Sequence, residues 1–356
     1  METKKKILFV LPDLTAGGAQ RIMSFVSQHL NNKTFDVKLI VIGFKKDAVY
    51  KVDAVEVQYL NKTRLLASVT MLFHLIVKEK PTIVISSIGH VNILMGFFSI
   101  LFRKIKFIGR EASVVSERIK FIERGSKVYF ILLKLFYPRL SAIICQSNDM
   151  KEDFINVFGF KSSKLILIYN PITNFETIIK NSNSKDKIHF VTVGRLSVEK
   201  GYLRIIEGLS KISNYNFHYT IIGSGPQATI IKENIDKYKL TDKVSFIPHT
   251  SKVLEEIGSR DFFIQGSYVE GFGNALLESC TVGTPVIAFK APGGTKDIVV
   301  NGINGFLVED ETEFVSVLND IDTLKTLDRD EVICSVVNKF NASKIIKQYE
   351  ELFNTI

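Results

Sequence analysis

Residues 5–21 read KKILFVLPDLTAGGAQR, and this stretch contains a complete structural unit. The apolar run Lys5–Leu11 is typical of a buried β-strand, and the glycines of Thr15–Arg21 indicate a tight turn. Apolar residues then follow at helical spacing over Arg21–Leu30. A strand, a glycine turn and a helix in this order predict an α/β fold.

The same order recurs along the first half of the chain. Strand-like runs, with helix-compatible segments between most of them, occupy residues 37–43, 82–87, 105–110 and 141–147. Strands that are apolar throughout are typical of a parallel sheet covered on both faces. The first half therefore predicts a Rossmann-like domain at residues 1–170.

A polar tract containing Pro171 and several Asn and Ser residues predicts a linker at residues 171–187. The pattern then restarts and predicts a second Rossmann-like domain at residues 188–340. Its strand-like runs lie at 188–194, 217–223, 243–248, 260–266, 285–289 and 305–308, with helical segments such as 202–212 and 226–238. The last stretch, 341–356, has apolar residues at helical spacing, so it predicts a helix that needs a partner surface.

The chain has 356 residues and 46% hydrophobic residues, enough for two packed cores. Its formal charge is +9, but the excess is uneven: residues 1–170 carry +13 and residues 171–356 carry −4. A basic domain is compatible with nucleic acid, an anionic membrane or a polyphosphate ligand. Charge alone does not choose among these partners.

The cysteines are far apart in sequence and show no metal-ligand spacing, so they predict neither a disulfide framework nor a zinc site. A reducing, cytoplasmic location is the resulting expectation. The longest uncharged apolar run, Ile93–Phe102, is about half the length needed to cross a bilayer. The N-terminal apolar run is too short for a signal peptide and has no small-residue cleavage site.

The stretch Val269–Glu278, VEGFGNALLE, concentrates residues that suit a binding site. Glu270 lies just after a predicted strand, and Gly271 and Gly273 permit a tight turn before a helix. A helix N-terminus at the carboxyl edge of a parallel sheet attracts phosphate. From spacing alone, a turn-capping Glu270 and a solvated Glu278 remain an equal alternative.

The motif E-G-F-G-N-A-L-L-E resembles the E-x7-E signature of retaining glycosyltransferases with the GT-B fold, particularly family 4. Further segments match the same family in the same order along most of the chain. They are GGAQR (17–21), YNPI (169–172), VGRLSVEKG (193–201), IIGSGP (221–226), GTPVIA (283–288) and GGTKDIVVNGINGFLV (293–308). The resemblance implies two Rossmann-like domains facing a cleft, with the C-terminal helix packing back toward the N-terminal domain.

The resemblance also implies roles for particular positions. Glu270 would contact the transferred sugar, Glu278 would hold the ribose hydroxyls, and Arg195 and Lys200 would clamp the diphosphate. Fixed cations and a helix N-terminus stabilise the charge that develops on a departing nucleoside diphosphate. The implied catalytic residues are Glu270, Arg195 and Lys200, and the implied nucleotide-sugar contacts are Gly17, Gly18, Arg195, Lys200, Gly271, Phe272, Gly273, Asn274, Ala275 and Glu278.

Two of these assignments have simpler alternatives. Arg195 and Lys200 could be an ordinary surface pair, and Gly17 and Gly18 could serve only a tight turn. Gln20 stands where many family members have Glu, which could alter the electrostatics of the acceptor side without removing the glycines.

We expect neither a cofactor nor a metal. Gly223 and Gly225 resemble part of a dinucleotide fingerprint but lack its third glycine, which disfavours an NAD-dependent oxidoreductase. Asp320-Ile-Asp322 and Asp328-Arg-Asp330 have the D-x-D spacing of the other large glycosyltransferase fold. Because they lie far in sequence from the phosphate segments, we interpret them as solvated helix ends.

The acceptor side is less defined. Many family members have a His or a Glu-Arg pair after the strand equivalent to 105–110, whereas this chain has Arg110 and Glu111 in reverse order. Either could orient an acceptor hydroxyl or phosphate, or the two could form a structural ion pair at the strand end. His90 and His249 follow other predicted strands, and for both a structural role is the alternative.

Residues 93–140 combine aromatic residues with ten Lys or Arg and three Glu. This composition suits the headgroup region of an anionic membrane, although aromatics in the core and solvated cations would give the same sequence. The residues that suggest it are Met95, Phe97, Phe98, Phe102, Phe107, Phe121, Tyr129, Phe130, Phe136 and Tyr137. No helix-turn-helix, RNP or zinc motif accompanies the patch, so we do not expect nucleic acid as a partner.

The sequence therefore predicts a retaining, metal-independent bacterial enzyme of surface-glycan synthesis at the inner face of the cytoplasmic membrane. It would transfer a hexose or N-acetylhexosamine from a nucleotide-sugar donor, most simply a UDP-sugar, to a lipid-linked or growing polysaccharide acceptor. GDP-mannose stays open as a donor. The alternatives are a glycosyltransferase acting on a soluble acceptor and a non-catalytic nucleotide-sugar-binding subunit.

Overall fold

The computed structural model describes residues 4–121, 126–174 and 187–356. The chain forms two compact units, Met1–Thr173 with Ala342–Ile356, and Asn174–Asn341. We call them the N-terminal unit and the C-terminal unit. Most of the predicted linker, residues 175–186, lies outside the described residues.

The N-terminal unit contains a seven-stranded sheet in which every pair of neighbouring strands is parallel. Its order is β3-β2-β1-β4-β5-β6-β7. The strands are β1 (Lys5–Leu11), β2 (Phe35–Val41), β3 (Glu56–Tyr59), β4 (Ile83–Ser87), β5 (Lys106–Arg110), β6 (Ala142–Cys145) and β7 (Leu165–Leu167). Its helices are α1 (Gly18–His29), α2 (Val69–Glu79), α3 (Gly89–Leu101), α4 (Val115–Ile119), α5 (Ser126–Phe136) and α6 (Asn148–Asn156).

The C-terminal unit contains a six-stranded parallel sheet in the order β10-β9-β8-β11-β12-β13. The strands are β8 (Ile188–Val193), β9 (Phe217–Ile222), β10 (Val244–Ile247), β11 (Phe262–Gln265), β12 (Val286–Phe289) and β13 (Gly305–Val308). The helices are α7 (Tyr202–Leu209), α8 (Ala228–Lys237), α9 (Val253–Gly258), α10 (Asn274–Thr281), α11 (Thr295–Ile298), α12 (Glu311–Asn319), α13 (Ile321–Lys325) and α14 (Arg329–Val337).

The C-terminal helix, α15 (Ala342–Thr355), belongs to the N-terminal unit. Its apolar residues are buried in the same cluster as the first strands, and the Phe353 ring meets Phe9 and Phe35 edge-on at 6.5 and 6.0 Å. Lys5 Nζ donates to the carbonyl of Phe353 at 3.0 Å, which satisfies an acceptor left open at the helix end. The expected packing of this helix on the N-terminal domain is confirmed.

The two predicted parallel α/β sheets are confirmed, and the predicted strands agree with the observed ones to within two residues. Strands β3 and β7 are absent from the strands predicted from the sequence. Both are short strands at a sheet edge, and side chains of each are only partly buried. Such strands carry little of the apolar signal that marks a central parallel strand.

The two D-x-D segments end up at helix starts, as predicted. The side chain of Asp320 accepts a hydrogen bond from the amide of Thr323, and Asp328 accepts from the amides of Asp330 and Glu331. Both aspartates therefore act as N-caps. Within the described residues, no helix is both long and apolar enough to cross a membrane.

Candidate functional site

Most residues predicted to bind the donor lie on segments that follow the switch point of the C-terminal sheet. Strands β8 and β11 are neighbours there, with Phe190 paired to Phe262, although they are not consecutive in the chain. In open parallel sheets, ligands bind beyond the carboxyl ends of two such strands. The segments that leave these ends are residues 194–201 and 266–273.

Two glycines let these segments touch through their backbones. Gly201 has φ +62°, and a Cβ at this position would lie 1.8 Å from the carbonyl oxygen of Gly266. A Cβ on Gly266 would in turn lie 2.5 Å from the carbonyl oxygen of Gly201. The amide of Tyr268 also donates to the carbonyl of Glu199 at 2.8 Å. Any side chain at either glycine would force the two segments apart.

This approach brings Lys200 and Glu270 together. Lys200 Nζ lies 2.5 Å from Glu270 Oε1, and the Ser267 hydroxyl donates to the same oxygen at 2.6 Å. The Glu270 side chain is 10% exposed and that of Lys200 is 28% exposed. Oε2 of Glu270 accepts no hydrogen bond from any described residue, so one oxygen of a nearly buried carboxylate is available to a ligand.

Arg204, on α7, holds the segment that leads to Glu270. Its Nε donates to the carbonyl of Gly266 at 2.7 Å, and its Nη2 donates to the carbonyl of Ser267. The guanidinium carbon lies 4.1 Å from the ring centre of Tyr268 and 3.6 Å from that of Phe289. Burial lowers the pKa of Arg204, and nearby Tyr268 and Glu311 oppose this shift.

Arg195 differs from both of these basic residues. Its side chain is exposed and makes no hydrogen bond or ion pair with the described part of the chain. Arg195 lies on the loop that follows the carboxyl end of β8, as Lys200 does. A guanidinium in this position is free to meet an anionic ligand.

The turn after Glu270 leads directly into α10. The amide of Glu270 donates to the carbonyl of Pro292 at 2.9 Å, and a Cβ on Gly293 would lie 2.1 Å from the Glu270 carbonyl oxygen. Gly273 has φ +95° and occupies the N-cap position of α10, where it contributes no side-chain cap. Because glycine has no side chain, the N-cap residue does not occupy the first amide groups of α10.

The other residues of the predicted donor set differ in exposure. Phe272 is 3% exposed and its ring packs edge-on against Phe340 at 5.4 Å, so its side chain belongs to the core of the unit. Glu278 lies in the second turn of α10 and is partly exposed. Gly271, Asn274 and Ala275 are also partly exposed.

At the switch point of the N-terminal sheet, Gly17 precedes α1 and Gly18 begins it. The Gly17 amide donates to the Tyr50 hydroxyl at 3.1 Å. Gln20 folds back so that its Nε2 donates to Asp13 Oδ1 at 3.0 Å, and a Cβ on Gly17 would lie 2.4 Å from Gln20 Oε1. That atom is the end of a flexible side chain, so the contact does not by itself require glycine at position 17.

The predicted acceptor residues Arg110 and Glu111 are buried, at 0% and 3% exposure. Arg110 Nη2 donates to Asn170 Oδ1 at 2.5 Å, and the Tyr137 hydroxyl donates to Glu111 Oε2 at 2.6 Å. Burial raises the pKa of Glu111, and the hydrogen bond from Tyr137 opposes this shift. An acceptor could reach these side chains only if they became exposed, so their role in acceptor binding stays a prediction.

The two histidines occupy different surroundings. His90 lies in the first turn of α3, where desolvation lowers the pKa of its ring, Asp13 raises it and Arg118 lowers it. Asp13 and His90 thus follow β1 and β4 at the same sheet edge. His249 is exposed after β10, at the edge of the C-terminal sheet.

Two family models cover most of the sequence. Glycosyltransferase Family 4 matches residues 16–173, and Glycosyl transferases group 1 matches residues 174–330. The chain belongs to the family 4-like GT-B glycosyltransferases. This glycosyltransferase is 25% identical over 315 residues to an uncharacterized glycosyltransferase of Haemophilus influenzae, and the match covers 86% of each chain.

A relative of stated activity comes from Campylobacter jejuni. It is named N-acetylgalactosamine-N,N'-diacetylbacillosaminyl-diphospho-undecaprenol 4-alpha-N-acetylgalactosaminyltransferase, and it is 22% identical over 327 residues, covering 87% of both chains. Among solved structures, Anabaena HepE in complex with UDP and glucose has a TM-score of 0.79 at 18% identity. That match covers 99% of this chain and 100% of HepE. It shows that the glycosyltransferase has the GT-B fold.

Sequence reasoning missed three residues that shape the site of this glycosyltransferase. Ser267 stands three residues before Glu270 at a strand end, and that spacing is a usable signal for a side chain that bonds the carboxylate. Asp13 follows β1 in the same way. Arg204 gives no such signal, because an arginine in an amphipathic helix ordinarily indicates a solvated face.

Proposed function

We propose that this glycosyltransferase transfers a hexose or N-acetylhexosamine, with retention, from a UDP-sugar to a lipid-linked or growing polysaccharide acceptor. The observation that carries the proposal is the cluster at the carboxyl ends of β8 and β11. There, a nearly buried Glu270 with one available oxygen lies beside Lys200 and before the N-terminus of α10. Arg195 and Lys200 would bind the diphosphate, Glu270 the sugar and Glu278 the ribose.

In the proposed reaction, the bond between sugar C1 and the oxygen of the β-phosphate breaks, and its electron pair stays on that oxygen. The acceptor hydroxyl oxygen forms the new bond to C1 on the same face, and its proton passes to the released diphosphate. Negative charge therefore grows on the diphosphate in the transition state. Arg195, Lys200 and the amides of α10 would stabilise that charge, which is the main electrostatic task of the site.

The same arrangement supports a reaction without a metal ion or cofactor. Two cations and a helix N-terminus supply the positive charge that a divalent ion would otherwise bring to a diphosphate. We therefore expect activity to survive EDTA treatment. A strict requirement for a divalent ion would contradict this part of the proposal.

One solved structure and two sequence relatives support the choice of substrates. The HepE neighbour was solved with UDP and glucose, which favours a UDP-sugar donor here. The Campylobacter jejuni relative carries an undecaprenol-linked acceptor in its name, and a Staphylococcus aureus relative, 31% identical over 234 residues, acts in capsular polysaccharide biosynthesis. Both favour a bacterial surface glycan as the product.

The decisive experiment is a donor panel with the purified full chain and a lipid-linked acceptor extract. The panel contains UDP-glucose, UDP-galactose, their N-acetylated forms and GDP-mannose, and the product is analysed by NMR for anomeric configuration. We expect one UDP-sugar to be transferred with its configuration kept. Inversion would contradict the mechanism, transfer only to soluble sugars would favour the soluble-acceptor alternative, and absence of both transfer and donor hydrolysis would favour a binding subunit.

The proposal includes reversible docking of the N-terminal unit on an anionic membrane. Two adjacent helices present exposed apolar side chains: Phe97 and Leu101 on α3, and Val128, Ile131 and Leu135 on α5 are 41 to 64% exposed. Gly96 lets α5 approach, because a Cβ there would lie 2.4 Å from the Phe136 carbonyl oxygen. Seven cations on α5 or on the segments between α3 and α5 in sequence are exposed: Arg103, Lys104, Lys106, Arg118, Lys120, Lys127 and Lys134. Arg124, also expected to contribute, lies outside the described residues.

Some of the aromatic and apolar residues that the sequence suggested for the membrane-docking surface are buried. Met95, Phe98, Phe107 and Tyr137 are at most 1% exposed, so these residues belong to the core and not to a docking face. The aliphatic residues of α5 replace them, at a spacing of three and four residues that places them on one side of the helix. Exposed apolar residues among cations suit a bilayer with anionic headgroups.

Co-sedimentation with vesicles tests this docking. Replacing Arg103, Lys104, Lys106 and Lys127 by Gln should weaken binding to anionic vesicles strongly, because each cation near such a surface contributes about 1 kcal/mol. The same change at Lys211, Lys232, Lys237 and Lys252 of the C-terminal unit, all exposed, is the matched control. Equal binding to neutral and anionic vesicles, or none to either, would contradict docking.

A further inference from the structure

Arg204 is a charged side chain of the C-terminal unit with several partners, and the proposed reaction does not use it. Its guanidinium lies between the rings of Tyr268 and Phe289, at 4.1 and 3.6 Å from their centres. Its edge donates to two successive carbonyls, those of Gly266 and Ser267. A planar cation that stacks on rings and also donates from its edge can fix a loop in one conformation.

The loop held in this way controls the position of Glu270. Ser267 is 1% exposed; its carbonyl accepts from Arg204, and its hydroxyl donates to Glu270 Oε1 at 2.6 Å. Arg204 is thus connected to the carboxylate through a single residue. The second donor to Oε1, Lys200, comes from the other segment of the site.

We propose that Arg204 and Ser267 are positioning residues for Glu270. The proposal rests on the proposed function, because it assumes that Glu270 meets the transferred sugar. Ser267 fixes the rotation of the carboxylate by occupying Oε1, which leaves Oε2 directed to a ligand. Arg204 fixes Ser267 by holding its carbonyl and the preceding one.

The bonding pattern explains why an arginine is required. A lysine at position 204 would keep the charge but would lack the planar fork that reaches two carbonyls while it stacks between two rings. Glu311 Oε1 lies 3.9 Å from Arg204 Nη1 and is 48% exposed, so this ion pair contributes little. Arg204 therefore holds the 266–270 segment through the planar shape and hydrogen bonds of its guanidinium, and its ion pair with Glu311 adds little.

The test compares Arg204→Lys, Ser267→Ala and Ser267→Thr in the full-length chain with the donor that the wild type uses. Misplacing a reacting group by a fraction of an ångström lowers turnover, so we expect kcat to fall about tenfold in Arg204→Lys and Ser267→Ala. The Kd for free UDP, which does not touch Glu270 in this scheme, should change less than about twofold. Ser267→Thr, which keeps the hydroxyl, should recover most of the activity.

Arg260→Lys is the matched control. Arg260 lies in the same unit, is 19% exposed and donates to Glu256 at 2.9 Å, but it makes no hydrogen bond or ion pair with residues 266–270 of the described chain. We expect this variant to lose stability without losing kcat. Hydrogen exchange of amides 266–272 should rise in Arg204→Lys and stay unchanged in Arg260→Lys.

The double variant Arg204→Lys/Ser267→Ala adds a second criterion. If both residues act through the same carboxylate, the double variant should lose clearly less kcat than the product of the two single losses. Full kcat in Arg204→Lys and Ser267→Ala, combined with a defective Glu270→Gln, would overturn the positioning role and leave the proposed function intact. Wild-type activity of Glu270→Gln would instead overturn the role of Glu270 itself. If kcat, UDP affinity and melting temperature all fall together in Arg204→Lys and Ser267→Ala, the two residues have only a structural role and the positioning proposal is wrong.

Discussion

Each unit contains a cluster of lysine and glutamate side chains. The two clusters have the same residue types but differ in their position on the sheet and in their role. In the C-terminal unit, Lys200 and Glu270 meet beyond the carboxyl ends of β8 and β11. In the N-terminal unit, Glu79 at the end of α2 contacts Lys6 of β1 and Lys38 of β2, the latter at 3.0 Å. This second cluster lies toward the amino ends of the strands.

The two clusters differ in whether a carboxylate oxygen remains available to a ligand. Glu79 pairs with two lysines, and Lys38 has a further partner in Glu56 at 2.7 Å, so the charges are matched within the cluster. Glu270 has an available oxygen and stands before a helix N-terminus. The direction of the strands explains the contrast, because ligands of parallel sheets bind at the carboxyl ends.

The largest effect that this comparison predicts comes from removing a diphosphate cation. Lys200→Ala and Arg195→Ala should each lower turnover by about two orders of magnitude or more, and should weaken UDP binding, because each removes a proposed contact to developing charge. Steady-state kinetics and calorimetric titration with UDP are the measurements. Lys38→Met, at the opposite edge of the other sheet, is the matched control and should turn over normally. Unchanged UDP binding in Lys200→Ala would refute the diphosphate assignment.

The next prediction separates the two glutamates of the motif. Glu270→Gln keeps the shape but removes charge beside the reacting sugar, so it should lower kcat by at least about tenfold with little change in UDP affinity. Glu278→Ala removes the proposed hydrogen bonds to the ribose and should mainly raise the Kd for UDP. Kinetics and UDP titration of both variants decide the matter, and identical profiles would contradict this division of roles.

A third prediction concerns the buried charge at the carboxyl edge of the N-terminal sheet. Asn170→Ala removes the acceptor that lies 2.5 Å from Arg110 Nη2, and we expect it to cost about 2 kcal/mol in the free energy of unfolding. Urea denaturation is the measurement. Asn170→Asp, which restores an acceptor, should recover the loss, and Asn214→Ala, at an exposed hydrogen bond, is the control. No loss in Asn170→Ala would show that Arg110 does not depend on this partner.

The smallest effect is expected at the amino-edge cluster. Hydrogen bonds from Lys6 and then Lys38 lower the pKa of Glu79 from 4.5 to about 2. Because the pKa is lower in the folded state, the stabilisation is present above pH 4.5 and is lost as the pH falls toward 2. Glu79→Gln should therefore cost about 1 kcal/mol at pH 7 and flatten the pH dependence below 4.5.

Urea denaturation at several pH values measures this effect, and Glu207→Gln, at an exposed i,i+4 pair, is the control. An activity loss in Glu79→Gln as large as that in Lys200→Ala would break the comparison between the two clusters.

The sequence alone determined the α/β class, the central strands and the place of the Val269–Glu278 segment after a strand. Long apolar runs such as Lys5–Leu11 can be satisfied only in a sheet covered on both faces, and glycines followed by helical spacing mark the ends of strands. These signals are local, so they survive without any knowledge of contacts. The apolar spacing in α15 likewise required a partner surface.

Tertiary structure decided which side chains those local signals bring together. Lys200 and Glu270 are seventy residues apart, and their contact depends on the mutual approach of Gly201 and Gly266. Arg204 is an ordinary helical residue until β11 and β12 place Tyr268 and Phe289 on either side of it. The sequence left Arg110 open between an acceptor contact and a structural role, and only the fold shows that its side chain is buried. Burial and pairing depend on segments distant in sequence, so no local pattern encodes them.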